Sequence, residues 1–262
     1  MIPRAATDEP ILTADFRRKA NAEDLAAYTK MLQGDPRNPL RHDAVANLYL
    51  DGGRFDEAIA EFRQSLRLNP DSAPTQYNLG YALSARGRRD EAVAAFKEAL
   101  RIDPDYAQAH NNLGITLARQ GRFPDAIREY QRAVEIEPGY DEPHNNWGIA
   151  LAQLGQLGPA IEQYALAIRA NPDNADAQVN WGNALVRAGT PGDALPHYQE
   201  ALRIRPDDAD AHLNWGVALA QQSRWNEAIG QFRAALAIDS TAVEARQYLE
   251  RALALQRRAP PD

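Results

Sequence analysis

HNNLGITLARQG, residues 110–121, returns 34 residues later as HNNWGIALAQLG, residues 144–155. The tripeptide at the centre of both recurs along the chain, as NLG at Asn78 and Asn112 and as NWG at Asn146, Asn180 and Asn214, always at a spacing of 34. A fixed period of this size is the mark of a stacked repeat, in which each unit buries its apolar face only against its neighbours.

Numbering each unit from 1 to 34 makes the pattern explicit. Position 8 is Gly80, Gly114, Gly148, Gly182 and Gly216, and position 20 is Ala92, Ala126, Ala160, Ala194 and Ala228. Position 24 is always aromatic, as Phe96, Tyr130, Tyr164, Tyr198 and Phe232, and position 27 is Ala99, Ala133, Ala167, Ala201 and Ala235. Pro104, Pro138, Pro172 and Pro206 hold position 32, where Ser240 breaks the series. An earlier unit from residue 39 fits with Ala46, Ala58, Phe62, Ser65 and Pro70. Positions 1–14 and 18–30 show helical spacing of apolar residues, and glycine at position 15 suits a helix C-terminus. Each unit is therefore expected to be a helix hairpin, with the glycine and alanines allowing close approach and the aromatic filling the volume between neighbouring units.

The period and its small, aromatic and proline positions resemble the tetratricopeptide repeat, with repeats similar to those of the superhelical domain of O-linked N-acetylglucosamine transferase. The resemblance covers residues 39–242 and implies an all-α, right-handed α–α superhelix of six complete hairpins: 39–72, 73–106, 107–140, 141–174, 175–208 and 209–242. Leu25, Tyr28, Leu32 and Pro36 place residues 20–38 in the register of the second helix of an incomplete unit, and residues 1–19 form an N-terminal arm outside the pattern. Residues 243–262 are expected to be a capping helix and tail, with Val243, Leu249 and Leu253 covering the last hairpin around Phe232 and Ile238. Pro196, at position 22, predicts a late start or a kink in its helix. Ser240 in place of proline predicts that the last hairpin runs on into the capping helix.

Composition narrows the chemistry. With 36 acidic and 29 basic side chains, a net charge of −7 argues against a general nucleic-acid binder. The chain has no cysteine, so thiolate nucleophiles, disulfides and cysteine metal sites are excluded. No window reaches the apolar length of a membrane span, and the first residues lack a signal peptide's apolar core, so a cytoplasmic location is expected. His42, His110, His144 and His212 all occupy position 4, one per layer and too far apart to share a metal, and are expected to be packing residues. His197 is expected on an outward position with no triad-like neighbours. No phosphate-binding glycine run is present, and acids such as Asp56, Glu57, Asp90 and Glu91 open second helices, where the dipole favours them. No catalytic residue, metal or cofactor is expected.

The face opposite the core is the unusual one. Positions 2, 6, 9 and 13 of the first helix form a stripe of 24 residues, of which only six are charged, against 15 of 30 on the outward positions of the second helices. Position 6 supplies Asn78, Asn112, Asn146, Asn180 and Asn214, with Ala44 in the first unit; position 9 supplies Tyr81, Ile115, Ile149, Asn183 and Val217 beside them. Asparagine forfeits roughly half a kcal/mol of helix propensity, so a merely solvated face has better choices. The resemblance implies that the first helices line a concave groove and that the asparagines form a ladder gripping the backbone of an extended polypeptide. A carboxylate clamp for acidic chaperone tails is not implied, because Asp43, Gln108 and Asn112 stand where that clamp needs two lysines and an arginine. The expected function is a non-enzymatic scaffold binding an extended segment of a protein partner. The alternatives are a substrate-recruiting module of a larger enzyme such as a peptide glycosyltransferase, or a scaffold that self-assembles through its ends.

Overall fold

The computed structural model describes residues 25–27 and 29–257; the N-terminal arm 1–19, Tyr28 and the tail from residue 258 lie outside the described residues. Residues 25–27 and 29–34 are helical, and among the described residues thirteen further helices follow. The chain divides into two compact units, Met1–Gln120 and Gly121–Asp262. The first holds α1 (Pro39–Asp51), α2 (Phe55–Leu68), α3 (Ala73–Ala85), α4 (Arg89–Ile102) and α5 (Ala107–Arg119). The second holds α6 (Phe123–Ile136), α7 (Asp141–Gln153), α8 (Leu157–Ala170), α9 (Ala175–Arg187), α10 (Pro191–Ile204), α11 (Ala209–Gln221), α12 (Trp225–Ile238) and α13 (Val243–Gln256). The class is all-α, with α1/α2, α3/α4, α7/α8, α9/α10 and α11/α12 each packed as a hairpin.

Local chemistry sets the helix ends. Asn38, Ser72, Asn174 and Asp208 accept a first-turn N–H through their side chains at the starts of α1, α3, α9 and α11. The second helices have no side-chain cap; acids in the first turn, such as Asp56 and Glu57 in α2 or Asp90 and Glu91 in α4, face the positive end of the helix instead. Position 15 turns the chain back in the left-handed region, with φ of +70° at Gly53 and +88° at Gly189, and the following N–H returns to a carbonyl five residues earlier, as in Arg54 N to Tyr49 O at 2.8 Å. The sixth unit makes the same turn with Ser223 at φ 60°.

The core follows from position 8. A Cβ added to Gly148 would lie 2.5 Å from the Tyr164 ring, and the same holds for Gly80 on Phe96 at 2.8 Å, Gly182 on Tyr198 at 2.7 Å and Gly216 on Phe232 at 2.5 Å. The aromatic thus lies on the bare backbone of its own hairpin partner. Its other side meets the next repeat: Tyr198 packs with Ala211 and Ala218, and Phe232 stacks on Tyr248 of α13 at 5.7 Å. Alanines at positions 20 and 27 are fully buried, for example Ala160 and Ala167. Ser65 occupies position 27 in the first repeat, also fully buried, and its hydroxyl has no partner among the described residues. An unpaired buried hydroxyl costs about 1–3 kcal/mol, and alanine is the better helix former. Ser65→Ala is therefore expected to raise the unfolding free energy by about 1–2 kcal/mol, measured by urea denaturation; a loss of stability would contradict the unpaired hydroxyl.

Three expectations are corrected. Of the late start or kink expected at Pro196, the late start is overturned: α10 starts at Pro191, at the same unit position as α8 and α12, and carries Pro196 inside. Proline removes one backbone donor near the helix start, while packing of Ala194, Tyr198 and Ala201 holds the helix. Ser240 does not merge α12 with α13. Asp239 remains extended at φ −122° and accepts from Thr241 N and Oγ1, so a side-chain turn replaces the proline. In α13, Leu249 and Leu253 do pack on the cluster of Leu219, Ile229 and Phe232, but Val243 is 60% exposed and Ile238 stays 43% exposed. The inward face of α13 is set instead by Ala245 and Ala252, both buried, with Leu249 between them.

Candidate functional site

Position 6 lies on the first helix of each repeat, and successive first helices touch within each unit: α1 with α3 and α3 with α5, then α7 with α9 and α9 with α11. All five asparagines are half-buried rather than freely solvated. In the first unit Asn78 Nδ2 donates to Asn47 Oδ1 at 3.0 Å, and Asn112 Nδ2 donates to Tyr77 Oη at 2.8 Å. In the second, Asn180 Nδ2 donates to Asn145 Oδ1 at 3.0 Å. Each bond crosses from one repeat to the repeat before it. Sequence reasoning missed them, although a polar residue at position 5 or 9 one repeat earlier was the available signal. Where position 5 is Val179, the following Asn214 makes no side-chain hydrogen bond to a described residue.

A side-chain amide has two N–H donors and an oxygen with two lone pairs. One donor spent on the preceding repeat fixes the amide plane and leaves the other N–H and the oxygen for another partner. The arrangement suits a ligand that offers alternating N–H and C=O groups.

The position-9 residues divide. Tyr81 is 48% exposed and Ile115 half-buried. Ile149 packs against the cluster around Leu151 and Tyr164, and Val217 against that around Leu219 and Phe232, so both serve the core as well as the surface. Asn183 accepts from Tyr198 Oη at 2.8 Å, tying the buried ring of α10 to α9; burial pushes this phenol well above its ordinary range.

The histidines at position 4 are more than packing. His42 Nδ1 lies 2.6 Å from Glu61 Oε2, His144 Nδ1 3.0 Å from Gln163 Oε1, and His212 Nδ1 2.7 Å from Gln231 Oε1, in each case joining position 4 to position 23 across the hairpin. The fourth pair in this series is reversed: Gln178 at position 4 meets His197 at position 23, 2.9 Å away. His197 is thus half-buried, not outward, and stacks on Trp181 at 4.1 Å; burial lowers its pKa. These rings are structural cross-links. Among the described residues no three His, Asp or Glu side chains are grouped to hold a metal ion, and no helix is long and apolar enough to cross a membrane.

The sequence pattern of the tetratricopeptide repeat matches residues 45–107, 77–141 and 179–243, more than half of the chain. The chain belongs to the tetratricopeptide repeat family. No curated protein matches it. Among solved structures, a chain of the APC/C hetero-tetramer Cut9–Hcn1 is similar over 89% of this chain at 20% identity and a TM-score of 0.73; this chain spans 46% of that one. PilW, a widely conserved type IV pilus biogenesis factor, is similar over 80% of this chain and 98% of its own at 22% identity and a TM-score of 0.73. YrrB, a tetratricopeptide repeat protein with an unusual peptide-binding site, is 27% identical over 71% of this chain and 95% of its own, with a TM-score of 0.57. The scaffold is thus of a kind typical of protein–protein interaction.

Proposed function

We propose that this tetratricopeptide repeat protein is a non-enzymatic scaffold that holds an extended segment of a partner protein by its main chain. Asn146, Asn180 and Asn214 form the gripping row of the second unit, and Asn78 and Asn112 that of the first. The observation that carries the reading is the inter-repeat bond made by Asn78, Asn112 and Asn180, which orients each amide while leaving most of its hydrogen-bonding capacity unused. Packed helices lie roughly 8–10 Å apart and an extended chain rises about 3.3 Å per residue, so successive rungs meet the partner about every third residue. Tyr81 adds an exposed aromatic surface in the first unit, and Ile149 and Val217 add apolar edges in the second. Likeness to a peptide-binding relative, YrrB, supports the class of ligand.

Main-chain recognition has a distinctive signature. Once affinity capture and mass spectrometry have supplied a partner segment, N-methylation of its backbone amides one at a time should weaken binding about 2–10-fold at every third position, since one net hydrogen bond contributes about 0.5–1.5 kcal/mol. Alanine substitution of the same residues should matter less. Uniform tolerance of N-methylation, with affinity set by one or two side chains, would overturn the proposal.

A further inference from the structure

A second feature of the Gly121–Asp262 unit lies away from the asparagine row, at the C-terminal end of α8. Position 29 is arginine in four of the six repeats: Arg67, Arg101, Arg169 and Arg203. Three of them are engaged in a regular way. Arg101 Nε donates to Glu98 Oε1 at 2.8 Å, from position 26 of its own helix, and its Nη2 donates to Asp71 Oδ1 at 3.0 Å, from position 33 of the preceding repeat. Arg203 repeats the arrangement, with Glu200 at 2.9 Å and Asp173 at 3.5 Å. Arg67 uses the position-26 acceptor alone, Gln64, at 3.2 Å.

Arg169 has lost both acceptors. Position 26 of its helix is Leu166, and position 33 of the repeat before it is Gly139. Its guanidinium is exposed and makes no hydrogen bond or ion pair with any described residue. The two replacements fall on one place: Leu166, Gly139 and Arg169 line the same hollow of about 420 Å³, walled otherwise by Val134, Pro138, His144 and Ala170. The hollow stands where the aspartate loop of the preceding repeat delivers its carboxylate in the sibling positions. A Cβ at Gly139 would meet nothing within 4 Å, so the space is open to a side chain.

We propose that this hollow takes an aspartate or glutamate side chain from a loop of a partner protein, with the carboxylate on Arg169 and the adjoining chain against Leu166, Val134 and Pro138. The guanidinium fork recognises a planar carboxylate through paired N–H donors. The apolar walls restrict the site to an acid carried on a chain, because a free small anion gains nothing from them. His144 is held in place by its bond to Gln163 and closes the floor.

The sibling loop provides the probe. Acetylated and amidated Asn-Pro-Asp-Asn, copying residues 171–174, is titrated into the full chain carrying labelled leucine and valine methyl groups, and the Leu166 and Val134 signals are followed. Saturable shifts are expected with a dissociation constant on the order of 1 mM, and Asn-Pro-Asn-Asn should bind about three- to fivefold more weakly, the upper part of the range of an exposed ion pair. Arg169→Gln should weaken binding to the same extent. Gly139→Asp, which restores the chain's own carboxylate, should abolish binding while leaving the fold and its thermal unfolding intact. Equal binding of the two peptides, equal shifts with sodium acetate, unchanged binding by the Gly139→Asp protein, or no saturation by roughly 20 mM would each overturn the proposal.

Discussion

Gly148→Ala is expected to lower the unfolding free energy by about 1–3 kcal/mol. The methyl group would lie 2.5 Å from Cε1 of Tyr164, 2.8 Å from Cδ1 and 2.9 Å from Cζ, so it strikes the body of the ring and not a flexible end. Tyr164 is only 2% exposed and cannot swing away without moving the alanines packed around it. Alanine favours helix over glycine by about 1 kcal/mol, which offsets part of the clash but does not reverse it. Gly230→Ala is the matched control: it lies in α12 with open space around it, so the propensity gain should appear there alone as a rise of about 0.5–1 kcal/mol. Guanidinium denaturation of both variants checks the pair. Because each repeat contacts only its neighbours, hydrogen exchange in Gly148→Ala should quicken most in α7 and α8.

This prediction rests on features that one sequence displays openly. A small residue at position 8, glycine in five repeats and Ala46 in the first, and a ring at position 24 meet in each hairpin, so the same pattern returns at each period and the fold class follows from it. What the repeat does not impose was harder to see. The histidine pairs join positions 4 and 23, which are 19 residues apart in different helices, and only the reversal of Gln178 and His197 relative to His144 and Gln163 discloses them in the sequence. The exposure of Val243 escaped for a related reason. Hydrophobic spacing on α13 admits several faces, and the choice among them is made by Ala245 and Ala252, whose small side chains let the helix sit close to α12. At the candidate site the asparagines and their period were readable, but not their bonds to the repeat before, because the acceptor changes in type and position from one repeat to the next: Asn47 at position 9, Tyr77 and Asn145 at position 5.

Those bonds change what asparagine substitution should do. Replacing Asn146, Asn180 and Asn214 together by alanine removes the row of the second unit. Asn180 gives up its bond to Asn145, and Asn146 gives up an interaction of its own, each worth about 0.5–1.5 kcal/mol net, but Asn145 and Asn146 are half-buried and within reach of water. Each alanine returns roughly half a kcal/mol of helix propensity. The two effects nearly cancel, and the unfolding free energy should shift by no more than about 1 kcal/mol. On the proposed reading binding has no such compensation, since each lost rung would remove a hydrogen bond to the partner's main chain.

The decisive measurement is therefore a paired one on the Asn146→Ala, Asn180→Ala, Asn214→Ala protein: calorimetric affinity for the captured partner segment beside denaturant unfolding of the same sample. Affinity lower by about 1.5–4.5 kcal/mol, with stability within about 1 kcal/mol of wild type, is the predicted result. Unchanged affinity, or a loss of stability large enough to account for the loss of binding, would contradict it and leave the asparagines as cross-links between repeats.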